Sequence, residues 1–112
     1  MSRSAAERVA DIFEAIERCQ RYRERFDDPD AEVVEMALQA AIRYIAVIGE
    51  AANHLPESVR AAAPTVPWPA IVEMRNVLVH EYFGVDTSVV ERTIDRDLLP
   101  LAQALRGLSL GD

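Results

Sequence analysis

At 112 residues the chain has room for one domain around one hydrophobic core and not for a second. Half of the residues are apolar, yet no run approaches the roughly 20 uninterrupted apolar residues of a membrane-spanning helix. The first eight residues lack the apolar segment of a secretory signal, so a soluble, cytoplasmic protein with no membrane partner is expected. Nineteen acidic against 12 basic residues give a formal net charge of −7, which argues against generic nucleic-acid binding.

Every basic residue is an arginine, and Arg18, Arg21, Arg23 and Arg25 crowd one short stretch. They form either a local positive patch or a solvated helix face. That stretch belongs to a first amphipathic helix over residues 4–26, with Ser4 as N-cap and Val9, Ile12, Phe13, Ile16, Cys19 and Phe26 at three- and four-residue steps. Cys19 is the one cysteine, which excludes an intrachain disulfide and a cysteine-based zinc site. Its phase with Ile12 and Ile16 makes it a small buried hydrophobe. Arg18, Arg21 and Arg25 fall on the opposite face. Arg23 lies near the apolar stripe, so it either snorkels at the helix end or points inward toward a site.

The second helix opens at Asp30 and places Val34, Leu38, Ala41, Ile42, Ile45, Ile48, Ala52 and Leu55 on one stripe. Val33, Ala37, Ala40, Tyr44 and Val47 make a second, so this helix is apolar on most of its circumference and should be central. Gly49 inside it suggests close helix packing beside Ala46 and Ala52. Pro56 suits the first turn of a short helix through Arg60. A third long segment runs from Pro67-Trp68-Pro69 through Tyr82, with Gly84 ending it. The last opens near Asp86 or Thr87 and keeps Val90, Ile94, Leu98, Leu101, Leu105 and Leu108 in phase across Pro100, as one kinked helix or with a break before the proline. Nothing alternates with the period of a strand. The expected fold is all-α: one domain over residues 1–112, an antiparallel bundle of four to five helices.

The third long helix carries the chemistry. Arg75, Asn76, His80, Glu81 and Tyr82 bring a guanidinium, an amide, an imidazole, a carboxylate and a phenol within two turns. Ile71, Met74 and Leu78 share a core face, whereas Asn76 and His80, four apart, stack on another beside Val72 and Val79. Such a face is too apolar for free solvent and too polar to stay unpaired, which a second copy of the chain would satisfy. His80 near a helix end also suits a purely structural role, as does His54 at the end of the second helix. No carboxylate pair, His-carboxylate spacing, phosphate loop or serine elbow points to a metal or cofactor, and none is expected.

Arg75, four intervening residues, His80, one residue and Tyr82 make up an Arg-x4-His-x-Tyr pattern that resembles the signature of HEPN domains. Ile48-Gly49-Glu50-Ala51-Ala52, Pro67-Trp68 and Tyr82-Phe83-Gly84-Val85-Asp86 are similar to the flanks found in the HepT family, over residues 5–106. The resemblance implies a homodimeric, metal-independent ribonuclease toxin, encoded beside a minimal nucleotidyltransferase (MNT) antitoxin that can inactivate it by transferring AMP to the motif tyrosine. By position it makes Arg75 and His80 catalytic, Tyr82 a motif residue and AMP acceptor, and Asn76 and Glu81 supporting residues. The acidic charge keeps a second reading open, a non-catalytic module that binds a nucleotidyltransferase.

Overall fold

The computed structural model describes residues 3–81 and 87–108, with the backbone alone at positions 75 and 77–81. Among the described residues six α-helices follow one another: α1 (Ala5–Arg23), α2 (Ala31–Asn53), α3 (Glu57–Ala61), α4 (Trp68–Glu81), α5 (Thr87–Arg92) and α6 (Leu99–Arg106). A π-helical segment, Thr93–Leu98, joins the last two, and no strand occurs among the described residues. The fold class is the all-α bundle expected from the apolar spacing. No helix among the described residues is long and apolar enough to cross a membrane.

Helix α1 starts where the sequence signals it. The Ser4 hydroxyl accepts from the Glu7 amide at 3.1 Å, and the Glu7 carboxylate accepts from the Ser4 amide at 2.8 Å, so two of the orphan donors of the first turn are satisfied reciprocally. The helix ends at Arg23 rather than at residue 26, because the chain tightens into three-residue bonds: the Arg25 amide donates to the Tyr22 carbonyl and the Phe26 amide to that of Arg23. Phe26 still closes over the core from this turn.

Helix α2 is capped by Asp30, whose carboxylate accepts from the Glu32 amide at 2.9 Å. It packs against α1 along one side and against α4 along another. Ala37, Ala41, Gly49, Ala51 and Ala52 are buried on it with Ile42, Ile45 and Ile48. Short side chains let neighbouring helix backbones come close, and the isoleucines fill what remains. The second stripe is less deeply placed: Val33, Ala40, Tyr44 and Val47 are only half-buried. Cys19 packs from α1 onto α2 with its sulfur 3.6 Å from the Ala41 carbonyl, and burial pushes its thiol up to about 12. Pro56 is the N-cap of α3, one position earlier than the first turn expected for it.

The final helical stretch departs from the sequence reading in a specific way. It is not α-helical throughout. Instead six residues adopt the wider π form, beginning where the Thr93 hydroxyl donates to the Val89 carbonyl at 2.9 Å, a back-bond that opens helices locally. Pro100 then falls in the first turn of α6, where its missing N–H costs no intrahelical bond. Val90, Ile94, Leu98, Leu101 and Leu105 all stay buried.

Arg23 ties this stretch to α1. Its Nε and Nη2 donate to the two Asp95 oxygens at 3.0 and 2.9 Å, and Nη2 also donates to Glu91 at 3.0 Å. Arg23, part-exposed at the end of α1, clasps that helix to the π segment. Arg18 pairs with Glu14 and lies 5.4 Å from the Tyr44 ring, and Arg25 approaches Asp28. Three of the four clustered arginines are thus matched by carboxylates, which leaves little of a positive patch.

The Arg23 guanidinium holds the Asp95 carboxyl below its usual range, first through their hydrogen bonds and then by charge. A carboxyl depressed in the folded state adds stability above its unfolded pKa and loses it as pH falls through the folded one. Both side chains are part-exposed, so the clasp is worth about 1 kcal/mol or less. Asp95→Asn should lower urea-unfolding stability by at most that amount at pH 7, and the gap to wild type should close on acidification below the aspartate range.

Candidate functional site

The helix that carries the polar cluster is fixed at its entry. Pro67 and Pro69 flank Trp68, and proline is favoured in a first helical turn. The Trp68 ring is buried, and its Nε1 donates to the carbonyls of Arg60 at 2.9 Å and Ala63 at 3.2 Å. One side chain thereby bonds two carbonyls, one in α3 and one just after it, and sets where α4 departs. Ile71 is buried one turn on, and Val72 and Met74 are half-buried against the core. The core face expected from Ile71 and Met74 is present; Leu78, its third member, has its side chain outside the described set.

Of the five candidate residues, four stand on α4 and one beyond it. Positions 75 and 80 lie about 7.5 Å apart along the helix axis, at 1.5 Å per residue. Positions 76 and 80 share a face by their four-residue spacing. Asn76 is half-buried, and its amide donates to the Glu73 carboxylate at 3.3 Å. The side chains of Arg75, His80 and Glu81 lie outside the described residues, as do Val79 and the whole of Tyr82. Positions 75, 79, 80 and 81 share the register of one helix, held against α2.

His54 has the structural place expected of it. It caps the C-terminus of α2, exposed, with Nδ1 2.8 Å from the Glu50 carbonyl and 3.6 Å from the Glu50 carboxylate. Sequence reasoning did not single out a second feature, a cleft of about 460 Å³ between the entry to α4 and the last helical stretch. Val66, Ile71 and Leu101 form its wall, and Arg96, Asp97 and Gln103 stand among its polar lining. Nothing in the spacing of those three marks them as a site. Only the packing of that stretch beside residues 65–71 turns them toward a concavity.

Replacing Trp68 by phenylalanine keeps most of the ring but removes the N–H, leaving the Arg60 and Ala63 carbonyls with their backbone amide donors alone. The variant should unfold about 0.5–1.5 kcal/mol more easily in urea.

Comparison with known proteins locates this arrangement. The family model described as "Ribonuclease HepT-like" matches residues 12–108. A "Probable ribonuclease HepT" of Thermococcus cleftensis is 34% identical over 98 residues, which is 88% of this chain and 89% of that protein. A Methanocaldococcus jannaschii protein named as a gamma-glutamylcyclotransferase and "putative RNase" is 32% identical over 84% of this chain, which spans only 42% of its length. A Caldanaerobacter subterraneus relative, also named an RNase of that standing, is 37% identical over 61% of each chain. No solved structure matches the chain.

Proposed function

The chain belongs to the HepT-like ribonuclease family, and we propose that it is a metal-independent endoribonuclease, the toxin of a toxin–antitoxin pair. The observation that carries this reading is the complete Arg75-x4-His80-x-Tyr82 signature inside the matched segment, with positions 75 and 80 on one helix pinned at its entry by Trp68.

These residue types suit RNA, which contains its own nucleophile in the 2′-hydroxyl. His80 takes the 2′-hydroxyl proton as the O2′–P bond forms, since an imidazole exchanges protons near neutral pH. The P–O5′ bond breaks, and His80 of a second copy in a homodimer returns a proton to the leaving oxygen. The products are a 2′,3′-cyclic phosphate and a 5′-hydroxyl. The Arg75 guanidinium carries a permanent charge and a fork of donors, and it balances the charge gained by the phosphorane oxygens. Asn76 and Glu81 support this set. The partner is an MNT nucleotidyltransferase, which transfers AMP from ATP to the Tyr82 hydroxyl, the O–Pα bond forming as pyrophosphate leaves. The added bulk and negative phosphate oppose approach of RNA to Arg75 and His80.

The net charge of −7 favours one other reading, a non-catalytic module that only binds the nucleotidyltransferase. RNA incubated with the purified protein in excess chelator distinguishes the two. Cleavage should persist, leave cyclic phosphate ends by mass spectrometry, and fall by about a hundredfold or more in His80→Ala, with the oligomeric mass unchanged. Binding of the nucleotidyltransferase without cleavage would establish the module, and activity that returns only with magnesium would exclude the proposed chemistry.

Tyr82→Phe tests the modification separately. Incubated with ATP and the nucleotidyltransferase, wild-type protein should gain the mass of AMP and the variant should not. A full adduct on folded Tyr82→Phe would place the acceptor elsewhere.

A further inference from the structure

The cleft beside the entry to α4 has a composition that the signature does not use. Its volume, about 460 Å³, falls within the roughly 300–1,000 Å³ of small-molecule sites. Val66, Ile71 and Leu101, all buried, give it an apolar wall. Arg96, Asp97 and Gln103, all exposed, line it with a cation, an anion and an amide. Neither Arg96 nor Asp97 takes part in the ion pairs found among the described residues. The clasp made by Arg23 uses Asp95, their neighbour on the π segment, and leaves these two side chains to the cleft.

We propose that this cleft is a nucleotide subsite, holding one unstacked base of the RNA with its ribose and phosphate. The proposal rests on the ribonuclease reading for its substrate. Each part of a nucleotide has a counterpart here. A flat base is covered by the apolar wall, and the Gln103 amide offers a donor and an acceptor side by side, the combination a base edge requires. The Arg96 guanidinium forks onto phosphate oxygens. The Asp97 carboxylate, which would repel a phosphate, instead accepts from a ribose hydroxyl, a donor that RNA supplies at the 2′ position. A purely apolar ligand would leave all three groups unused. Position also favours RNA: Ile71 stands in the cleft wall, and position 75 follows it by four residues on the same face of α4, about 6 Å along the axis. A strand crossing the motif therefore reaches the cleft with a neighbouring nucleotide.

The test is a titration of the four 5′-nucleoside monophosphates into wild-type and His80→Ala protein, followed by the methyl resonances of Val66, Ile71 and Leu101. At least one nucleotide should shift these methyls in both proteins, since binding here does not need turnover. Gln103→Ala and Arg96→Ala should each weaken it by about tenfold or more. Both are exposed positions, so thermal unfolding should stay as in wild type and report that the fold is intact. Absence of shifts with all four nucleotides, or equal affinity in the variants, overturns the subsite. Shifts caused by a protein partner alone overturn it as well. Nucleotide binding by a chain that cuts no RNA keeps the subsite and removes the nuclease reading, whereas cleavage with an unchanged base preference in Gln103→Ala does the reverse.

Discussion

Helix α2 has to bury apolar surface against α1 and α4 at once, and the rest of the molecule is arranged around that requirement. A helix with a single apolar stripe can serve one neighbour; α2 serves two because small residues alternate with isoleucines around more than half of its circumference. Ile45 and Ile48 are wholly excluded from solvent. Truncating a side chain of that kind typically costs 2–5 kcal/mol, a large share of the stability of so short a chain. The signature helix is therefore carried by the best-packed element of the fold. Trp68 adds a fixed point of departure, so the register of positions 75–81 follows from contacts made well before them.

Much of this arrangement was legible from residue spacing. Ser4 and Asp30 cap the helices they were expected to cap, since a short oxygen-bearing side chain before an apolar periodic run has few other uses. The burial of Cys19, Ile45 and Leu98 follows from the same periodicity. Three features did not. The π segment depends on a local choice of hydrogen bonds that leaves the apolar period nearly intact, so nothing in the spacing marks it. The destination of Arg23 depends on a carboxylate 72 residues away. The cleft needs two segments side by side, and its polar lining reads in sequence as ordinary solvated surface. For the signature itself, the residue types and spacing were plain, and positions 75 and 80 hold their register on α4, but the chemistry proposed for them comes from the family and not from spacing.

Charge has two scales in this molecule. The total is strongly acidic, and most of the arginines clustered near the end of α1 are absorbed by carboxylates within the chain. An RNA strand attracted to such a surface would be guided by a few placed groups rather than by a broad field. That favours recognition at defined points over sliding contact along the surface. It also means that modest changes in local charge weigh heavily, because no excess of positive potential compensates for them.

The thiol of Cys19 is sealed between α1 and α2 and held neutral at physiological pH. Thiolate is the reactive form, so neither oxidants nor alkylating agents can reach this sulfur without first opening the helical hairpin. Swings in the thiol–disulfide balance of its surroundings consequently leave the folded chain unchanged, and any pairing between copies owes nothing to a covalent bridge. The same property gives the molecule a silent background for spectroscopy: a cysteine placed anywhere on its surface would be the first to take up a label.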